Sequence, residues 1–254
     1  MTFGYDTLLE LGAEGEAFTI AQFDEAVRRG LGEPSLLSGW TRAHVISHLE
    51  GNALALCNLV TWARTGVETP MYRDHNERAA QIEAGARRPD REIVDGARAA
   101  SEQLARALRD LPPDVRSFEV RTALGRTVPV TQVPWMRIRE TWIHPIDLDT
   151  GASIDDVPAL VVRAMLDEVV VTLSAKPGCP ALVLTASDVG GTWTTTPKAA
   201  ASPPDAPGAA PVEVPVDVPI EVSAPAARLL GWLIGRPAPG AEQALPDVAI
   251  PPWL

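Results

Sequence analysis

A chain of 254 residues, 46% of them hydrophobic, has room for one large or two medium domains and can bury a substantial core. Its formal net charge of −11, with Lys176 and Lys198 the only lysines, excludes the clustered basic surface that a nucleic-acid backbone requires. Cys57 and Cys179 form no C-x-x-C pair, no basic-then-apolar leader opens the chain, and no apolar run reaches the ~18 residues of a membrane span. A reduced cytoplasmic protein with no membrane and no nucleic-acid partner is expected.

Leu8, Leu9, Leu11, Phe18, Ile20, Phe23 and Val27 stand near helical spacing and predict a first helix over 5–30, stopped by Gly30 and Gly32. Thr41 is a good N-cap for a second helix over 42–65, which carries His44, His48, Asn52 and Cys57 and ends at Gly66. After a loop containing Pro70, an amphipathic helix over 74–85 holds Arg78 and Ile82. A fourth helix, over about 91–110, stops at Pro112 and Pro113. Residues 116–130 read as a hairpin turning at Leu124 and Gly125. Thr131 is placed to cap a helix over 132–149.

After Gly151 the pattern changes. A helix over 156–174 precedes strands at 181–185, 191–195 and 212–222, and an Ala/Pro-rich loop fills 198–211. Gly190 and Gly191 signal a hairpin turn, and Pro215 and Pro219 make the last strand an edge. Ser223 is placed to cap a helix over 224–235, ending at Gly235 and Arg236. The fold class is therefore α+β, with a helical bundle over 1–150 followed by a smaller α/β domain over 151–254.

The chemistry concentrates in scarce histidines. Glu140 and His144 are four residues apart, so on a helix their Cβ atoms lie about 5–6 Å from each other on one face. A carboxylate and an imidazole there can grip one metal ion but cannot close a site, because zinc takes at least three protein ligands. His48, about two turns into the second helix, is the best third ligand. Two bundle helices can bring it opposite Glu140 and His144, giving a His₂Glu set with an open fourth position. His44, on the same face, competes for that place. Each residue also has a structural reading: a hydrogen-bonded core histidine, or a surface i,i+4 pair. The sequence has no H-E-x-x-H, no phosphate loop and no nucleophile elbow, and Cys57 reads as core packing. Arg236 is either a cation at a helix end or a guanidinium fork for a substrate carboxylate.

Several stretches carry a family resemblance. They are Leu36, Leu37, Gly39, Trp40, Thr41, Arg42, His44, Ile46 and His48; then Asn52 and Ala53, 55–59 and 66–72; then 125–129, Trp135, Met136, Arg137, Arg139, Glu140, Trp142, Ile143, His144, Asp147 and Leu148; and the terminal Trp253 and Leu254. Together they resemble mycothiol-dependent maleylpyruvate isomerases. The resemblance implies a DinB-like bundle holding a divalent metal, usually zinc, on His48, Glu140 and His144, and a sterol-carrier-like C-terminal domain. It assigns Arg236 and Arg78 to substrate binding, makes mycothiol the cofactor, and makes the partners a small dicarboxylate and a low-molecular-weight thiol. The implied reaction is thiolate addition to the cis double bond of maleylpyruvate, rotation about the resulting single bond, and expulsion of thiolate to give fumarylpyruvate. In it the metal lowers the thiol pKa or polarises the enolate oxygen. The alternatives are a mycothiol S-transferase on the same metal and a non-catalytic metal-binding regulator.

Overall fold

The computed structural model describes residues 3–197, 218–238 and 245–253. The loop at 198–211 and the first part of the expected last strand, including Pro215, lie outside the described residues. The chain divides into two compact units, Thr2–Ala152 and Ser153–Leu254. No helix among the described residues is long and apolar enough to cross a membrane.

The first unit is helical. Helix α1 spans Tyr5–Arg29 and α2 spans Arg42–Thr65; then come α3 (His75–Gly85), α4 (Asp90–Arg109), strands β1 (Glu119–Arg121) and β2 (Thr127–Pro129), and α5 (Val133–Asp147). Leu8, Leu11, Gly15, Thr19, Phe23 and Ala26 bury one face of α1 at three- and four-residue steps. Gly30 ends α1 and Gly66 ends α2 at φ of 87° and 71°, values that glycine adopts without steric cost. One core gathers Leu56, Leu59, Leu104, Val120 and Val130, and a second gathers Phe23, Ile46, Leu49, Ile93 and Leu148. The hairpin pairs Val120 with Val128, both turned inward.

Gly15 sets how closely α1 approaches α5. A Cβ at Gly15 would stand 2.5 Å from Thr141 Oγ1 and 2.9 Å from Trp142 Nε1. Both residues are on α5, next to Glu140. Gly15→Ala is therefore expected to destabilise the fold by about 1–3 kcal/mol, the usual range for overpacking. Urea unfolding measures it, and an unchanged midpoint would show that the two helices are not in such close contact.

Helix α5 begins later than expected. Residues Val130–Gln132 form a 3₁₀ turn, so Thr131 lies inside that turn, and Gln132 occupies the cap position without a side-chain cap bond. Near its other end α5 tolerates Pro145. Proline has no N–H for the carbonyl four residues back, and that carbonyl, Thr141 O, instead accepts from the buried Thr19 hydroxyl at 2.7 Å. The helix thus runs past His144 with its backbone satisfied by α1.

The second unit contains α6 (Ala159–Ser174), β3 (Leu182–Ala186), β4 (Thr192–Thr195), β5 (Ile220–Ala224) and α7 (Ala226–Leu233). A 3₁₀ turn at Ile154–Asp156, held by Ser153 and Asp156, takes the place of the first expected turn of α6. The strand order is β4-β3-β5. β3 and β4 pair antiparallel around Gly190 and Gly191, both at positive φ, while β5 pairs parallel to β3 as an edge. Ser223 lies within β5, so it does not cap α7, which starts after Pro225. Helix α6 packs on β4 and α7, and α7 packs on β3. The observed architecture is α+β, as expected.

Candidate metal centre

The face of α2 carrying His44, His48 and Asn52 separates into three uses. His44 turns back to the start of its own helix, where the Thr41 N–H donates to His44 Nδ1 at 3.2 Å. Its Nε2 faces Glu83 at 3.5 Å, and its ring stacks on Trp40. Asn52 Oδ1 accepts from Arg137 at 3.0 Å. Of the two histidines, only His48 turns toward Glu140 and His144 on α5. The structure thus separates His44 from the site and brings His48, Glu140 and His144 together.

Their donor atoms make a nearly equilateral triangle. His48 Nε2 is 2.9 Å from Glu140 Oε2 and 3.1 Å from His144 Nε2, and His144 Nε2 is 3.1 Å from Glu140 Oε2. Tetrahedral ligands about 2.0–2.1 Å from a zinc ion stand roughly 3.3 Å apart, so the triangle is nearly the size a metal needs. Among the described residues, these three are the one His/Cys/Asp/Glu group whose ligand atoms gather in this way. The His48 ring meets the His144 ring edge-on at 4.6 Å and is flanked by Trp40 at 5.8 Å.

The electrostatics fit a cation. Burial acts to raise the Glu140 pKa, but hydrogen bonds from His144 and His48 overcome it and hold the carboxyl well below the usual range. Burial acts to lower the His144 pKa, but bonds to Asp147 and Glu140 raise it to about 9. Burial dominates at His48 and lowers its pKa. Asp147 Oδ2 accepts from His144 Nδ1 at 2.8 Å, which aims the Nε2 lone pair at the ligand position once that nitrogen is unprotonated. Because the His144 pKa is raised, its extra proton is held below about pH 9 and must leave before a metal binds. Metal affinity is therefore expected to rise with pH up to about 9, with about one proton released per metal near neutrality. Calorimetry in buffers of different ionisation enthalpy counts that proton. An affinity independent of pH over this range would contradict the arrangement.

Two features of the site escape a reading of spacing alone. Asp147 follows His144 by three residues on the same helical face, a signal the sequence does contain. Arg137, only 3% exposed, clasps four helices. It pairs with Glu16 at 2.6 Å and donates to Leu49 O at 2.9 Å, to Asn52 Oδ1 at 3.0 Å and to Ser101 Oγ at 2.8 Å. It lies one turn before Glu140 and fixes α5 against α1, α2 and α4.

The two arginines expected at the substrate lie in different units. Arg78, on α3, donates from Nη2 to His48 Nδ1 at 3.2 Å. That bond exists only while His48 carries its proton on Nε2. Arg236 follows α7 in the second unit, where its Nη1 donates to Ile234 O at 2.8 Å, a contact of the helix-end kind.

Residues 13–149 match the family described as the mycothiol maleylpyruvate isomerase N-terminal domain. A crystal structure of a mycothiol-dependent maleylpyruvate isomerase is similar to this chain with a TM-score of 0.82 at 30% identity, covering 98% of this chain and 99% of that one. A histidine-to-alanine variant of a mycothiol-dependent maleylpyruvate isomerase gives a TM-score of 0.81 with the same identity and coverage. No curated protein matches the sequence. With more than half of its residues matched by that family and nearly all of its length shared with these structures, this chain belongs to the mycothiol maleylpyruvate isomerase family.

Proposed function

We propose that this chain catalyses the mycothiol-dependent cis–trans isomerisation of maleylpyruvate to fumarylpyruvate, with His48, Glu140 and His144 as ligands of a divalent metal. The observation that carries the reading is the triangle of donor atoms, 2.9–3.1 Å on each side, inside a family whose solved members bear this activity. Two imidazoles and one carboxylate are a donor set suited to zinc, with the fourth position left to a reactant.

When bound, such a metal supplies Lewis acidity, lowering the pKa of a thiol or polarising an oxygen. The chain's own groups supply the rest. Asp147 keeps the His144 proton on Nδ1, so Nε2 faces the site. Glu140, held ionised by its two imidazole neighbours, adds the one negative charge of the ligand set. His48, nearly fully buried, is kept from bulk water against Trp40. Arg78 can donate to Nδ1 of His48 only when that nitrogen is unprotonated. Once Nδ1 carries the proton, two donors face one another, and the guanidinium turns to an anionic group instead. Arg78, in the first unit, and Arg236, in the second, are each proposed to act in substrate binding by donating to a carboxylate, which offsets the repulsion of a dianion by a chain of net charge −11.

The test is maleylpyruvate turnover with and without mycothiol, run beside conjugation of a simple electrophile. The expected result is rapid, thiol-dependent isomerisation and little conjugation. Conjugation without isomerisation would reassign the chain to S-transfer, and thiol-independent isomerisation would remove mycothiol from the reaction.

A further inference from the structure

The three donors of the triad differ in what aims them. Asp147 Oδ2 holds His144 through Nδ1 at 2.8 Å, and the two imidazoles hold Glu140 between them. A ligating histidine ordinarily gives its second N–H to a carboxylate, a backbone carbonyl or a water, which fixes the plane of its ring. His48 is arranged differently. Among the described residues, the group at its Nδ1 is the Arg78 guanidinium at 3.2 Å, which has donors and no acceptor. Arg78 therefore cannot accept from His48 when Nε2 is the ligand and Nδ1 carries the proton.

A ring face stands where that acceptor would be expected to act. Trp40, on the loop between α1 and α2, has its ring centroid 5.8 Å from that of His48, with the planes at 56°. The same ring stacks on His44 at 6.3 Å, with the planes at 27°. Tilted and offset contacts at about 4.5–7 Å are the favoured geometries of aromatic pairs. His44 is itself anchored, by Thr41 at the start of α2 and by Glu83 on α3. The indole thus has a fixed ring on one side and His48 on the other.

The loop holds Trp40 firmly. The Ser35 N–H and the Ser35 hydroxyl each donate to Trp40 O at 2.9 Å, and the Trp40 N–H donates to Leu37 O at 3.0 Å. The loop also reaches the far side of the triad. The Leu36 N–H donates to Asp147 O at 2.9 Å, and Asp147 carries the carboxylate that sits on His144. One short segment therefore touches the supports of both histidine ligands. Plain packing is present in it too: Trp40 and Leu37 both lie half-buried against the core of Phe23, Ile46, Leu49 and Leu148. The two uses separate on these residues, because Leu37 serves that core while Trp40 serves it and also faces His48.

We propose that Trp40 is a positioning residue of the metal centre: its indole, held by the loop between α1 and α2, sets the plane of the His48 imidazole so that Nε2 meets the donor atoms of Glu140 and His144. This rests on the reading of His48 as a metal ligand and adds what aims that ligand. Phenylalanine would keep a flat face beside His48. Leucine would put a rounded, branched group there, against which the imidazole can turn.

The test is zinc affinity, read by competition with a chelator, for the full-length wild type, Trp40→Leu, Trp40→Phe and Leu37→Ala. Urea unfolding of each metal-free protein is measured beside it. Trp40→Leu is expected to bind zinc roughly 10–100-fold more weakly than the wild type, the usual loss when a group that orients a ligand is removed. Trp40→Phe is expected to recover most of that affinity, and Leu37→Ala to lose stability while keeping its zinc affinity. Wild-type affinity in Trp40→Leu overturns the proposal, and so does an equal loss in Leu37→Ala or no recovery with phenylalanine. In the zinc-loaded wild type a nuclear Overhauser contact is expected between the Trp40 indole and the ring protons of His48. Its absence overturns the proposal even if the leucine variant does not fold. No zinc binding by the wild type overturns the proposal together with the metal centre on which it rests.

Discussion

Exchanging His48 for alanine is expected to abolish metal retention and to lower kcat/KM by roughly a thousandfold or more, the several kcal/mol that a Lewis acid contributes to a transition state. Two donors cannot hold an ion that three hold, because Glu140 and His144 would then face solvent across the site with no third side to the triangle. The fold is expected to survive. The α2 face that meets α4 and α5 is anchored by Ile46, Leu49, Leu56 and Leu59, all essentially inaccessible, and His48 adds little to that packing. Elemental analysis with circular dichroism separates the outcomes. A helical variant that keeps stoichiometric metal would show that His48 is not a ligand. His44 could not simply replace it, because His44 Nδ1 is engaged at the start of α2 by Thr41 and its other nitrogen faces Glu83.

Arg137→Met carries the largest expected cost in stability. The guanidinium satisfies Glu16, Asn52, Ser101 and the Leu49 carbonyl from a position almost closed to water. Methionine fills much of the volume but leaves a carboxylate without its cation and several acceptors without donors. Breaking a buried pair on one side costs about 3–5 kcal/mol, a large part of the roughly 5–15 kcal/mol that holds a typical domain folded. Chemical denaturation of the variant measures this. The double variant with Glu16→Gln is expected to lose less than the sum of the two single losses, because the uncompensated carboxylate is then absent. Strict additivity would mean that the two side chains do not interact. Arg137→Lys is also expected to destabilise, since a point charge cannot reproduce the fork that reaches Glu16 and α2 at once.

These two residues show which parts of the molecule could be read from the sequence. His48, Glu140 and His144 were legible because histidine is scarce here, and because an i,i+4 pair on one helix and a histidine on a capped neighbouring helix restrict how a bundle can be assembled. The bodies of α1, α2 and α4 were legible for a similar reason: apolar spacing and the glycines at positions 30 and 66 dictate them locally. Arg137 was not legible. An arginine within an amphipathic segment normally lies on the solvated face, and only tertiary packing shows that this one turns inward. Asp147 was hidden for a related reason, since an acid near a helix end is unremarkable until its carboxylate is seen on His144 Nδ1.

The misplaced helix starts have one physical source. Thr131 and Ser223 have the right side chains for N-caps, yet the backbone uses them otherwise. Val130–Gln132 winds into a 3₁₀ turn before α5, and Ser223 is taken into β5 alongside Thr185. In both places backbone hydrogen bonding outcompetes a single side-chain cap, which contributes about 1 kcal/mol. The proline at 145 shows the opposite case. It should have weakened α5 just past the site, but Thr19 on α1 accepts the role of donor to the freed carbonyl. A distant hydroxyl thus preserves the segment that carries Glu140 and His144.

The most direct measurement is a four-way assay of maleylpyruvate isomerisation, using protein stripped of metal and protein reloaded with zinc, each with and without mycothiol. Fumarylpyruvate is expected to form rapidly only when the reloaded protein and the thiol are both present. Equal turnover by the stripped protein would contradict a metal centre on His48, Glu140 and His144.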